Sequence, residues 1–98
     1  MKIKCHLLAF GSNDVREINV SDDKAQNSDL NALLELAYAY GQNDLHPQQK
    51  RSVSVGDVVE LHGTFFVCMN SGWKAINKND LEKLKAMDAA ERALQFLY

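Results

Sequence analysis

Proline and long apolar runs are scarce in this sequence, which has one proline and no stretch near the ~20 apolar residues that span a bilayer. Since proline interrupts helices and sheet interiors, its scarcity leaves most of the chain free to form regular structure. The five glycines stand singly, which excludes a glycine-rich phosphate loop. A composition of 46% hydrophobic residues in a 98-residue chain predicts one folded domain over residues 1–98.

Neither sign of charge dominates, since 11 basic residues stand against 13 acidic ones and the net charge is −2. Proteins that bind a phosphate backbone usually present a basic surface, so this balance argues against a nucleic-acid partner. The acidity is also too mild for a protein that imitates a phosphate backbone. Charge therefore argues against the function classes that depend on a strong field of one sign.

Cysteine is scarce as well, and Cys5 and Cys68 lie far apart with no metal-ligand spacing. Both occur in runs typical of strands, so we expect two buried, reduced thiols; a disulfide and a reactive thiol are the alternatives.

The first ten residues, MKIKCHLLAF, place lysines before an apolar run, as a secretory signal does. That run is short and His6 interrupts it, so we expect a cytoplasmic protein with no membrane segment.

Recognisable catalytic and metal-binding patterns are missing. The three histidines, His6, His46 and His62, fall in a predicted strand, a loop and a hairpin tip, and none accompanies a nucleophile in a catalytic context. Cys5 and His6 are adjacent, so in a strand their side chains point to opposite faces. We predict no catalytic residue, no metal site and no cofactor.

The first half of the chain predicts a β-hairpin followed by a helix. Residues 2–10 and 15–20 carry strand-type patterns on either side of a turn cluster, GSND, and residues 21–27 form a polar loop. Apolar residues then recur at helical spacing over 28–40, with Ser28 or Asn27 as the N-cap and Asp29 in the first turn. The predicted apolar stripe consists of Leu30, Leu33, Leu34, Ala37 and Tyr38.

Residues 42–51, QNDLHPQQKR, have no apolar period and predict a long crossing loop. Long loops in compact domains are often functional, so this segment is a candidate contact surface. Its candidate binding residues are His46, Lys50 and Arg51. A solvated connector is the alternative.

Residues 52–76, SVSVGDVVELHGTFFVCMNSGWKAI, predict a three-stranded antiparallel meander that follows a short strand-like SVSV segment. His62 and Gly63 form the natural hairpin tip, because glycine adopts positive φ without strain. The NSG cluster makes the next turn and WKAI the last strand. His62 and Trp73 complete the set of candidate binding residues.

The remaining residues predict a C-terminal helix over 80–97, with Asn79 as its cap and Leu81 and Leu84 facing the sheet. The predicted fold is therefore α+β: hairpin, helix, meander and helix. The apolar end, residues 96–98, either packs on the core or forms a contact between subunits. A monomer and a weak homodimer both remain open.

The stretch 52–76 also resembles the core of the YodL-like domain found in proteins of phages, plasmids and conjugative elements. That family has a pattern close to S-L-S-V-x-D-V-[IV], a turn, an aromatic-bearing strand and a closing S-x-G-[FW]. The first part is matched by Ser52, Ser54, Val55, Asp57 and Val58. Ser71, Gly72 and Trp73 resemble the close, with one residue fewer between serine and glycine.

The resemblance implies a small non-enzymatic accessory protein of a phage or mobile element that binds a host or phage protein, with counter-defence as a narrower version. It implies no catalytic residue. The alternative is a nucleic-acid-binding module of small-barrel type that stacks bases on Phe65, Phe66 and Trp73. Phe65 and Phe66 are adjacent, so they must face opposite sides of a strand and at least one belongs to the core.

Overall fold

The computed structural model describes residues 1–9, 13–45, 47–48 and 50–87. The elements in chain order are β1 (Lys2–Leu7), β2 (Asp14–Asn19), α1 (Asp22–Asn27), α2 (Leu30–Tyr40), β3 (Val58–Leu61), β4 (Thr64–Cys68), β5 (Trp73–Ile76) and α3 (Lys78–Ala86). The predicted α+β fold is confirmed, with its N-terminal hairpin, helix, meander and C-terminal helix. Within these residues, no helix has the length and apolar character needed to cross a membrane.

The five strands form one antiparallel sheet in the order β2-β1-β3-β4-β5. The hairpin and the meander are joined because β1 pairs with β3, with Cys5 opposite Val59. The sheet is open, so β2 and β5 are its two edge strands. The turn at His62 and Gly63 lies where the sequence predicts it, and both residues have positive φ, 51° and 77°.

The two faces of the sheet carry separate cores, because alternate strand residues point to opposite sides. The face that α2 covers buries Ile3, Cys5, Leu7, Ile18, Val59, Leu61 and Phe66 against Leu33, Leu34 and Ala37. The opposite face buries Leu8, Val58 and Val67 against Leu81 and Leu84 of α3. The expected placement of Leu81 and Leu84 is therefore confirmed.

The polar segment 21–27, predicted as a loop, contains the short helix α1. Ser21 caps it by accepting a hydrogen bond from the backbone N–H of Lys24 at 3.3 Å. Asp22 and Asp23 lie in its first turn, where the positive end of the helix dipole stabilises carboxylates. The helix buries none of its residues, so it has no apolar period by which the sequence could indicate it.

The helix α2 begins two residues later than predicted. Asp29 is its N-cap rather than a first-turn residue, and its carboxylate accepts from the backbone N–H of Ala32 at 2.8 Å. Leu33 and Leu34 are buried as expected, but Leu30 is 50% exposed. Leu30 lies beside β5, and the sheet ends there, so nothing described covers the outer side of this leucine.

The cap of α3 is Asn77, not Asn79. Its side chain accepts from the backbone N–H of Asp80 at 2.8 Å, and the Asp80 carboxylate accepts in return from the N–H of Asn77. This reciprocal capping box explains why the helix starts at Lys78. The helix ends at Ala86, and the rest of the predicted helix and the apolar residues 96–98 lie outside the described residues.

The segment 52–55, predicted as strand-like, is not a strand, because its backbone wraps around the buried carboxylate of Asp57. That carboxylate accepts two hydrogen bonds from the guanidinium of Arg51, both at 2.8 Å. It also accepts from the backbone N–H groups of Ser54 at 2.7 Å and Ala9 at 2.9 Å. One fully buried side chain thus holds the end of β1, the 51–54 segment and the start of β3 together.

We expect Asp57→Asn to lower the free energy of unfolding by about 3 kcal/mol, because an amide cannot accept all four hydrogen bonds and Arg51 loses its counter-charge. Arg51→Met should cost at least as much, because it leaves the fully buried Asp57 carboxylate without its counter-charge and without two of its hydrogen-bond donors. Urea unfolding of both single variants and the double variant measures the coupling. Additive losses in the two single variants would contradict a coupled ion pair.

Candidate functional site

The structure does not bring the sequence-predicted binding residues into one site. His46 lies outside the described residues. Lys50 and Arg51 form ion pairs with Asp14 at 2.6 Å and with Asp57 at 2.8 Å. His62 is exposed at the tip between β3 and β4, and Trp73 begins β5. Since Lys50 contacts β2 and Trp73 belongs to β5, these two residues mark opposite edges of the sheet.

The 42–51 segment is fastened to the β2 edge by polar contacts. The Nη1 atom of Arg16, a fully buried side chain, donates to the Asn43 side-chain oxygen at 2.7 Å. The Gln48 side chain donates to the Glu17 carbonyl of β2 at 3.2 Å. The hydrogen bond from Lys50 to Asp14 lowers the pKa of that carboxyl. This loop therefore contacts the β2 edge of the sheet and occupies one of its backbone acceptors, the Glu17 carbonyl.

The outward side of β5 has no such contact among the described residues. The Met69 N–H donates to the Gly72 carbonyl at 3.0 Å, so these two residues form the hydrogen-bonded pair that closes the hairpin. Hydrogen-bonded and non-hydrogen-bonded pairs alternate along antiparallel strands. Lys74 therefore bonds to β4, whereas the backbone groups of Trp73 and Ala75 point outward. Those outward groups can pair with another strand.

A pocket of about 270 Å³ lies beside β5 on the α2 face of the sheet. It is lined by Leu30, Asn31, Leu34, Phe66, Trp73 and Ala75. The indole N–H of Trp73 donates to the Glu35 carboxylate of α2 at 3.1 Å, which holds the ring against the helix. A pocket of about 220 Å³ lies beside the same ring and includes Tyr38 and Met69. The α2 face beside β5 is thus concave and mainly apolar.

A larger groove of about 610 Å³ lies on the α3 face and reaches β5 at Ile76. Its lining includes Phe65 and Leu81 on the apolar side and Lys78 at the start of α3. The α2-side pocket thus lies beside Trp73 and Ala75, whereas the α3-side groove meets β5 at Ile76, the last residue of the strand. This arrangement was not visible in the sequence, because it depends on which strand occupies the edge.

His6 and Glu60 form a polar pair in this groove, with His6 Nε2 at 3.1 Å from Glu60 Oε1. The Nδ1 atom of His6 is buried and has no hydrogen-bond partner among the described residues. The described hydrogen bond of the His6 ring is therefore the one between Nε2 and the Glu60 carboxylate.

The two thiols are buried and free. Burial, with a further contribution from the negative charge of Asp57, raises the pKa of Cys5 to about 12 and that of Cys68 to about 11. Neither thiol supplies a thiolate nucleophile near neutral pH. Among the residues described, no group of three His, Cys, Asp or Glu side chains is arranged to hold a metal ion.

Comparison of the chain with protein-family models, with curated proteins and with solved structures found no match. The resemblance of residues 52–76 to the YodL-like family therefore stays a hypothesis. Its matched residues have structural roles: Asp57 organises the 51–54 segment, Val58 lies in the α3-side core, and Gly72 has a φ of 82° in the last turn.

The raised thiol pKa values predict a stability that falls at alkaline pH. The unfolded chain releases thiol protons near pH ~8.5 while the folded chain retains them, so the free energy of unfolding should decrease as pH rises from 8.5 towards 11. Other groups also titrate in this range, so the test is the difference between the wild type and Cys5→Ala. Urea unfolding at several pH values should give a shallower decline for the variant; parallel curves would contradict the prediction.

Proposed function

We propose that this chain is a non-enzymatic protein-binding module that recognises an extended segment of another protein by adding it as a sixth strand beside β5. The observation that carries the proposal is the outward-pointing backbone of Trp73 and Ala75 on an edge strand, with a pocket beside these two residues on the α2 face. In strand addition, backbone hydrogen bonds give affinity and pockets on alternate sides give specificity. The β5 edge has outward backbone groups and one such pocket.

The difference between the two edges supports this choice of surface. Native sheets usually protect an edge strand, since unpaired backbone groups invite unwanted pairing. Gln48 and Lys50 contact the β2 edge, and Gln48 binds the Glu17 carbonyl, while no corresponding contact with the outward side of β5 is seen among the described residues. An uncovered edge beside an exposed leucine, Leu30, fits a contact surface better than a purely structural strand.

The wider context of the proposal rests on the resemblance of residues 52–76. It implies an accessory protein of a phage or mobile element whose partner is a host or phage protein, and counter-defence is its narrowest form. The free thiols of Cys5 and Cys68 fit a reducing compartment, so the proposal includes action in the cytoplasm.

The alternative function, nucleic-acid binding, is weakened because one of its three proposed stacking residues, Phe66, is buried in the core on the α2 side of the sheet.

The decisive variant is Ala75→Pro. Proline removes the outward N–H of Ala75 and leaves the bonds from β5 to β4 in place, and edge strands tolerate such a proline. The matched control is Ala75→Thr, which keeps the N–H and suits a strand. We expect peptides selected from a random linear library to bind the wild type and the threonine variant, and to bind the proline variant about tenfold more weakly.

Backbone amide spectra show where the selected peptides bind and whether Ala75→Pro remains folded. Binding should shift the Trp73 and Ala75 amide resonances and slow hydrogen exchange at Ala75. Equal binding by Ala75→Pro, or shifts confined to the β2 edge, would contradict strand addition at β5. Retardation of DNA or RNA in low salt, weakened by added salt, would support the rival nucleic-acid reading instead.

A further inference from the structure

The two sides of β5 differ in chemistry, and this difference specifies the kind of segment that fits. The side chains of Trp73 and Ala75 lie on the α2 face, where Trp73 packs against the α2-side core. Lys74 and Ile76 lie on the other face, where Ile76 packs against the α3-side core. An added strand would place alternate side chains beside these two surfaces.

The α2 side accepts an apolar side chain. Its pocket is formed by Leu34, Phe66 and the Trp73 ring, with the half-exposed Leu30 at one side. Asn31 is the polar exception. Residues of an added strand that lie opposite Trp73 and Ala75 have their side chains on this face. Both of these positions in the partner therefore favour leucine, isoleucine, valine or an aromatic residue.

The α3 side carries unneutralised positive charge beside β5. Lys74 and Lys78 are exposed, and neither takes part in an ion pair within the described part of the chain. Of the acidic residues on this face, Glu60 contacts His6 and Glu82 contacts Lys85, while Asp80 keeps its negative charge in the capping box at the start of α3. The partner residue opposite Lys74 meets a cationic surface.

Resting on the proposed strand addition, we infer that the partner segment has an acidic residue between two apolar residues, with the aspartate or glutamate opposite Lys74. Lys74 and this residue form a non-hydrogen-bonded cross-strand pair, the closer of the two pair types. Opposite charges at directly facing positions stabilise such a pair. Lys78, which follows β5 at the start of α3, adds a second positive charge on the same side.

A second copy of this chain fits the edge less well. The two-fold register that uses both Trp73 and Ala75 of each copy places Lys74 opposite Lys74 of the other copy. Like charges directly opposite each other destabilise a strand pair. The charge on β5 thus favours an acidic partner over self-association.

Three fluorescent peptides test the inference: Thr-Leu-Glu-Leu-Thr and its counterparts with glutamine or lysine in place of glutamate, each flanked by serines. We expect affinity to fall in the order Glu, Gln, Lys. Lys74→Glu should weaken binding of the glutamate peptide roughly three- to tenfold and strengthen binding of the lysine peptide. Lys2→Glu is the matched control, because it makes the same charge change on β1, away from β5.

The outcomes separate this inference from the proposed function. Equal affinity for all three peptides, with binding still lost in Ala75→Pro, would overturn the acidic preference and keep strand addition. Failure of every peptide to shift the Trp73 and Ala75 amides at millimolar concentration would overturn both. Concentration-dependent dimerisation that Ala75→Pro abolishes, without peptide binding, would identify a second copy as the occupant and also overturn the inference.

Discussion

The buried carboxylate of Asp57 is the interaction on which the arrangement of this fold depends. It binds the Arg51 guanidinium and the backbone N–H groups of Ser54 and Ala9, while the Asp57 carbonyl accepts from the N–H of Cys68. A fully desolvated carboxylate is tolerable only with such a complete set of donors. Meeting that requirement fixes the end of β1, the 51–54 turn, β3 and β4 relative to one another.

That central constraint also determines which strands lie at the edges. Once β1 and β3 are held side by side, β2 follows β1 on one side and β4 and β5 follow β3 on the other. The chain between α2 and β3 must then return past β2, where Arg16 and Asn43 hold it. The same connection that delivers Arg51 to Asp57 therefore contacts the β2 edge, while within the described residues the outward side of β5 has no such contact.

Patterns in neighbouring residues were enough to predict the turns, strands and helix faces that depend on neighbouring residues alone. Positive φ at the glycine of the His62–Gly63 turn, strand alternation and the Leu33–Leu34 spacing are properties of neighbouring residues. The β1–β3 pairing joins residues more than fifty positions apart, and the cap at Asp29 competed with equally plausible neighbours. The burial of Arg16 and the edge position of β5 follow only from the assembled sheet. The sequence therefore predicted Trp73 as a candidate binding residue but did not predict the pocket and the strand edge beside it.

An uncovered edge strand is a liability for any protein, since it offers pairing to every extended chain it meets. Lys74 places a positive charge in the middle of β5. A charge on an edge strand opposes pairing with a second copy and with neutral, aggregation-prone segments, and it does so without covering the strand. Under the proposed strand addition, the apolar pocket beside Trp73 favours a partner that brings an apolar side chain. In that proposal, the residue that opposes unwanted pairing and the residues that select a partner belong to the same four-residue strand, β5.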